Sequence, residues 1–171
     1  MSFDTPHSPK NREINNVAAL KVPPHSVDAE QAVLGGLMLD NTEWDNLADV
    51  LLPEDFYRPE HQIIFRVMSQ QSEASSPIDV VTLVESLNSL NELEGAGGVE
   101  YLGELTDNAR GTANIHAYAE IIRERAILRR LISVANGIAN SGYNTGGKKA
   151  AVVLDEAEQE VFSIADERPQ D

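Results

Sequence analysis

Apolar residues recur at intervals of three and four from Ser26 onward, and this helical spacing constrains the fold more than any other feature of the sequence. No Asn-Gly or Asp-Gly pair lies between two alternating apolar runs, as a tight β-hairpin would require. Short β-branched pairs such as Val80-Val81 fall within the 3.6-residue period. The sequence therefore predicts an all-α fold, with a compact multi-helix globular head followed by a long antiparallel helical hairpin.

The hairpin is predicted from the two periodic segments in the last third of the chain. The first runs from about Asn114 to Ser141, well beyond the mean helix length of roughly 11–12 residues. Gly142 ends it, residues 143–147 form a short loop, and the second segment runs from about Lys149 to Glu167. Two helices joined by a short Gly-rich loop are expected to fold back against each other.

The hairpin carries more apolar surface than two helices can bury between them. One heptad-like stripe on the first helix has a single charged member and consists of Tyr118, Ile121, Arg125, Leu128, Ile132, Ala135 and Ala139. The surplus must contact the head or another protein chain, and we expect another chain. The candidate residues for this protein interface are Ile121, Ile122, Leu128, Leu131, Ile132, Val153 and Val161. Some of them must close the hairpin itself, and the sequence alone does not divide the two roles.

Composition divides the remainder of the chain. Residues 1–22 are polar and contain prolines, so they hold too little apolar surface to offset the entropy lost on ordering. We expect a disordered N-terminal tail over 1–22, the helical globular head over 23–110 and the hairpin over 111–168. Gly35-Gly36 lies inside the first predicted helix. Each glycine there should destabilise the helix by about 1 kcal/mol relative to alanine. Either the helix frays there or another helix approaches closely.

Charge and composition exclude several classes of function. The chain has 13 Lys and Arg against 28 Asp and Glu, a formal net charge of −15, which opposes binding to nucleic acid or anionic membrane by bulk charge. With no cysteine, disulfides and thiolate chemistry are excluded. No apolar run approaches the roughly 20 residues of a membrane span, and the N-terminus lacks the pattern of a signal peptide. We therefore expect a cytoplasmic protein that does not bind membranes.

Basic residues cluster on the first hairpin helix, and acidic ones lie on the second. The cluster consists of Arg123, Arg125, Arg129 and Arg130. Folding the chain back about residue 145 would bring Arg130 near Glu160, so that ion pairs set the register. Alternatively both faces are solvated, and exposed pairs then contribute at most about 1 kcal/mol each. Direct DNA binding by the cluster is not expected, because acidic residues face it and aromatic stacking partners are missing.

The remaining motifs do not form a catalytic site. The loop Gly142–Lys149 matches G-x-x-x-x-G-K, but Lys149 replaces the Ser or Thr that binds magnesium, and a helix precedes the loop where a P-loop needs a strand. Nucleotide binding there stays an unfavoured alternative. The four histidines show no metal-ligand spacing, and His61 and His116 are predicted to be surface or packing residues. We therefore predict no catalytic, cofactor-binding or metal-ligating residue.

One segment is specific enough to suggest a family. Residues 21–41, KVPPHSVDAEQAVLGGLMLDN, closely resemble the N-terminal domain of the bacterial replicative DNA helicase of the DnaB type. The resemblance runs to about Arg168 through further matching segments, including Asp55-Phe56-Tyr57, Ser76-Pro77-Ile78-Asp79, Ile122-Arg123-Glu124-Arg125-Ala126 and Ile132-Ser133-Val134-Ala135-Asn136.

The resemblance implies a domain for assembly and protein interaction. In this family the domain forms a collar on a hexameric ring, a trimer of dimers paired through the hairpins, which docks primase and influences a helicase loader. The ATPase motor, which uses ATP and magnesium and binds DNA, is a separate domain. Residues 169–171 would begin the linker to it, so we expect a non-enzymatic fragment of an ATP-dependent helicase. A stand-alone acidic helical adaptor is the alternative.

Overall fold

The structure, a computed structural model, describes residues 21–111 and 114–166. This part of the chain contains α-helices and short 3-10 helices and no strand, which confirms the predicted all-α fold. The helices are α1 (Val27–Leu39), α2 (Trp44–Ala48), α3 (Pro59–Glu73), α4 (Val80–Ser89), α5 (Gly98–Ala109), α6 (Ile115–Tyr143) and α7 (Ala150–Asp166), with 3-10 turns at Asn41–Glu43 and Pro53–Asp55. The predicted tail, apart from Lys21 and Val22, and the predicted linker at 169–171 lie outside the described residues.

Local signals fix where the head helices begin. The Ser26 hydroxyl accepts a hydrogen bond from the Ala29 backbone N–H at 3.2 Å, capping α1. At α4 the Asp79 carboxylate accepts from the Thr82 N–H at 2.9 Å, and the Thr82 hydroxyl accepts from the Asp79 N–H at 3.0 Å. Pro59 is the first residue of α3, where its missing N–H has no consequence.

The Gly35-Gly36 pair marks a close helix crossing and not a frayed helix. Helix α1 is continuous across both glycines. A Cβ on Gly35 would lie 2.1 Å from the Leu105 carbonyl oxygen and 2.7 Å from the Ala109 Cβ on α5. A Cβ on Gly36 would lie 2.9 Å from the Ile115 side chain at the start of α6. The two glycines therefore let α1 pack directly against the backbone of α5 and the first turn of α6.

The core of the head extends into α6. Fully buried residues from α1, α3, α4 and α5 form it together with Leu47, Leu51 and Phe56 from the intervening segments. Ala119 and Ile122, each 1% exposed, belong to the same core although they lie beyond residue 110. The first turns of α6 therefore pack as part of the head.

Beyond Ala126 the two last helices form the predicted hairpin. Helix α6 has 29 residues and α7 has 17, or roughly 43 and 26 Å at 1.5 Å per residue. The predicted register was wrong: the Glu160 carboxylate lies 3.9 Å from the position of a Cβ on Gly137, about two turns beyond Arg130. The reason is that α6 continues to Tyr143 and the chain reverses at Gly146 and Gly147, whose φ angles are +63° and +81°.

Candidate protein-interaction surface

The exposed apolar stripe on α6 is the main candidate surface. Leu128 and Ile132 are 41% and 46% exposed, and Ala135 and Ala139 continue the stripe on the exposed surface. At 3.6 residues per turn these four residues fall within an arc of about 60°. That arc lies on the side of α6 away from Ala126 and Val134, which are 8% and 7% exposed. Neither the head nor α7 therefore covers it.

The structure divides the predicted interface residues into groups. Leu131 and Val161 are 46% and 48% exposed, like Leu128 and Ile132 on the stripe. Val153 is half-buried within the hairpin, and Ile121 is partly buried against the head core.

Ile122 is a correction to the predicted interface set. Its side chain is 1% exposed and lies in the core of the head, because α6 docks on α1 through this part of its surface. It is therefore unavailable to a partner.

The outer face of α7 is a second exposed apolar region, from which the predicted interface set included Val161 but not Leu154 or Phe162. Phe162 is 72% exposed and Leu154 is 63% exposed. Phe162 borders two shallow grooves of about 270 and 440 Å³, the first lined also by Ile138, Ala157 and Val161. The spacing of Leu154, Val161 and Phe162, seven residues and then one, places them on one side of a helix and was a signal that could have identified this face.

The hairpin is fastened to the head at its root by Arg129. The Arg129 guanidinium donates hydrogen bonds to the carbonyl oxygens of Pro24, at 2.7 Å, and of Asp55, at 2.6 Å. The same group lies 5.5 Å from the centre of the Tyr57 ring, a cation–π contact. His25 stacks on Tyr57 with ring centres 4.1 Å apart. Because one side chain binds two separate segments of the head, it ties α6 to both.

A buried polar cluster lies next to the turn of the head that carries Tyr57. The Glu30 carboxylate, in a residue that is 1% exposed, accepts from the backbone N–H groups of Tyr57 at 2.9 Å and Arg58 at 3.3 Å. His61 is fully buried, and its Nδ1 lies 2.8 Å from Glu30. Its Nε2 lies 2.5 Å from the Tyr101 hydroxyl. The cluster therefore holds the turn at 57–58 against α1 and α3.

Hydrogen bonds connect the side chains of this cluster. A carboxylate can only accept, so Nδ1 of His61 donates to Glu30. The Tyr101 oxygen accepts from the Gln31 amide at 3.2 Å, and the Tyr101 hydroxyl is also hydrogen-bonded to Nε2 of His61. Every polar atom of the group is then paired. This agrees with the prediction that His61 is a surface or packing residue, because its side chain is buried and hydrogen-bonded within the head.

The Gly142–Lys149 loop contributes one ion pair to α7. The Lys148 ammonium donates to both oxygens of Glu156, at 2.9 and 3.1 Å. The loop follows a helix, as expected from the sequence. Within residues 21–111 and 114–166 there is no group of three or more His, Asp or Glu side chains able to hold a metal ion. In the same ranges no helix is both long and apolar enough to cross a membrane.

Comparison with known families gives one match that covers most of the chain. The model described as "DnaB-like helicase N terminal domain" matches residues 22–124. The match includes the glycine crossing, the Glu30–His61 cluster and the first part of α6.

Two curated relatives carry the similarity further along the chain. The chain is 48% identical over 151 residues to the replicative DNA helicase DnaB of Haemophilus influenzae, covering 88% of this chain and 32% of that protein. It is 42% identical over 145 residues to the replicative DNA helicase DnaB of Geobacillus stearothermophilus, covering 85% and 32%. The chain therefore spans about a third of the length of the curated relatives it matches.

Solved structures show the same fold. The N-terminal domain of DnaB helicase from Mycobacterium tuberculosis superposes with a TM-score of 0.79 at 34% identity, covering 83% of this chain and 99% of that one. A DnaB-like replicative helicase, solved in a study of its interactions with primase, superposes with a TM-score of 0.65 at 25% identity, covering 80% of this chain and 31% of that one.

Proposed function

Because this chain belongs to the family of DnaB-like helicase N-terminal domains, we propose that it is the assembly and protein-interaction domain of a replicative DNA helicase. In this proposal it builds the collar of a hexameric ring as a trimer of dimers, and paired hairpins hold the subunits together. The observation that carries the proposal is the α6 stripe, on which Leu128 and Ile132 remain 41% and 46% exposed after the head and α7 have packed.

A collar of this kind has a clear physical advantage for a ring helicase. Motor domains must move relative to one another while the ring stays closed. Burial of apolar surface between hairpins supplies about 25 cal/mol per Å² without requiring nucleotide, so the contact persists through every state of the motor. The net charge of −15 opposes a role in gripping DNA.

We extend the proposal to partners and to the rest of the parent protein. Docking of primase is supported by the similarity to a helicase solved in a study of its interactions with primase. A helicase loader is a further candidate partner. ATP hydrolysis, magnesium binding and direct DNA contact are assigned to other parts of a cytoplasmic ring helicase, and this domain contributes no catalytic residue and binds no cofactor.

Self-association tests the proposal directly. Ile132→Asp places a charge in the stripe, where burial against a second copy without a counter-charge would cost several kcal/mol. Sedimentation equilibrium across a range of concentrations should show the dissociation constant rising at least about tenfold. Val81→Asp is the matched control, because Val81 is 72% exposed on the head and far from the hairpin in sequence. Equal association of wild type and Ile132→Asp would overturn the assignment of this face.

Primase docking is tested separately. Fluorescently labelled cognate primase, titrated with the wild-type chain, should show saturable binding by anisotropy. An unrelated acidic helical protein of similar size is the control for charge. Absence of binding at tens of micromolar chain, with the fold intact by circular dichroism, would contradict this part of the proposal.

A further inference from the structure

The hairpin leaves the head at Arg129. Ala126, 8% exposed, is packed one turn earlier, whereas Leu131 and Ile132 are almost half-exposed one turn later. From Arg129 to the end of α6 at Tyr143 the helix extends roughly 21 Å further. A small change of angle at the root therefore becomes a displacement of several ångströms at the tip.

The acceptors that Arg129 binds are rigid. Pro24 belongs to a Pro-Pro pair that leads directly into the capped start of α1. The turn that contains Asp55 is closed by its own carboxylate, which accepts from the Leu52 N–H at 2.8 Å. Two residues later the Glu30 carboxylate holds the Tyr57 N–H. The guanidinium thus binds two carbonyls that the head itself already fixes.

The chemistry of the contact requires arginine. Two carbonyls from separate segments are bound by the two terminal nitrogens of one planar group. Lysine has the same charge, but its single ammonium group lacks the planar fork that meets both acceptors and stacks on an aromatic ring. Since both acceptors belong to the backbone, the sequence of the head segments does not reveal the contact.

We infer that Arg129 is the positioning residue that holds the hairpin at one angle to the head, by binding the Pro24 and Asp55 carbonyls across the face of Tyr57. Its consequence for assembly rests on the proposed function: the angle determines whether the exposed faces of two copies meet in register. We call these contacts of Arg129 with Pro24, Asp55 and Tyr57 the latch. All of them form within a single chain.

A distance measurement within one chain tests the latch. The sequence has no cysteine, so Asn88→Cys on α4 and Asn140→Cys on the outer part of α6 provide the two sites for spin labels. Double electron–electron resonance on labelled chain diluted with excess unlabelled chain reports only intramolecular distances. The wild type should give one narrow distribution, and Arg129→Lys should broaden it at least about twofold. Arg125→Lys is the matched control, because Arg125 is an exposed arginine on the preceding turn of α6.

The outcomes separate positioning from stability. A merely structural contact would lower the melting temperature and leave the width of the distribution unchanged in the folded chain. A wild-type width in Arg129→Lys, with the fold intact by circular dichroism, would overturn the inference. If Arg129→Lys does not fold, Tyr57→Leu decides, since it removes the ring beneath the guanidinium and keeps both carbonyls: broadening supports the latch, and a wild-type width refutes it. If Arg129→Lys leaves the distance distribution unchanged but Ile132→Asp still weakens association, the latch is refuted and the proposed function stands. If Arg129→Lys broadens the distribution but Ile132→Asp does not weaken association, the latch stands and the proposed function is refuted.

Discussion

Individual side chains in this domain are constrained by contacts that reach far along the chain. Gly35 and Leu105 are 70 positions apart, yet the space between α1 and α5 leaves no room for a single methyl group. Glu30 occupies the first turn of α1, where an acid is favoured by the helix dipole, but the structure uses it to bind a turn 27 residues away. The sequence left two alternatives open at Gly35, and the structure decides for the close approach of another helix.

Gly35→Ala tests the helix crossing. The added Cβ would meet the Leu105 carbonyl at 2.1 Å, so the helices must separate and the head should lose about 2–4 kcal/mol of unfolding free energy. Gly103→Ala is the control, since a Cβ there meets nothing within 4 Å and the gain in helix propensity should stabilise by up to about 1 kcal/mol. Urea unfolding of both variants gives the comparison. Similar values for the two would show that α1 does not approach α5 this closely.

Glu30→Gln tests the buried cluster. The amide nitrogen replaces one carboxylate oxygen with a donor, which must face either His61 or a backbone N–H that also donates. Loss of these charge-assisted bonds should destabilise by about 2–3 kcal/mol. Asp28→Asn, an exposed acid in the same helical turn, should change stability by less than about 0.5 kcal/mol. Thermal unfolding followed by circular dichroism measures both, and a neutral Glu30→Gln would mean that the cluster is not closed as described.

Helix α6 is part of both the head and the hairpin. Its first turns bury Ala119 and Ile122 in the core of the head, and its remaining turns carry α7 and the exposed stripe. The continuous apolar spacing from Tyr118 to Ala139 gives no sign of this change, because one 3.6-residue period serves both environments. Arg129 lies at the transition between the two parts of the helix. In the sequence it is one of four clustered arginines, so nothing distinguished it as the one that binds the head.

Alanine substitutions on α6 should have different effects on stability in the part that packs in the head and in the part that belongs to the hairpin. Ile122→Ala opens a cavity in the core and should cost about 2–5 kcal/mol of unfolding free energy. Ile132→Ala removes a half-exposed side chain and should cost less than about 1 kcal/mol in the monomer. Chemical denaturation at a concentration where the chain is monomeric provides the test. Equal losses at the two positions would contradict the division of the helix at its midpoint.

The whole molecule combines a strongly acidic surface with an unpaired apolar face. A charge of −15 repels a second copy, whereas burial of the hairpin surface attracts it. The two effects respond differently to salt, because screening weakens only the repulsion.

Self-association should therefore strengthen as salt is added. Between about 0.1 and 1 M salt the Debye length falls from roughly 10 to 3 Å, and the dissociation constant measured by sedimentation should decrease. Ile132→Asp, which is expected to associate poorly, provides the control for general salting-out. A dissociation constant that rises with salt would show that ion pairs, and not the apolar stripe, hold the copies together.

The sequence by itself determined the all-α fold, the hairpin and the family, because each rests on local spacing or on a contiguous motif. The tertiary structure alone decided that Gly35 is a crossing point, that Ile122 is core while Ile132 is surface, and that Arg129 binds the head. It also moved the hairpin register by about two turns, since a loop only a few residues later shifts every pair opposite it. Helical periodicity reports which residues are apolar and on which face; what covers that face depends on the packing of distant segments.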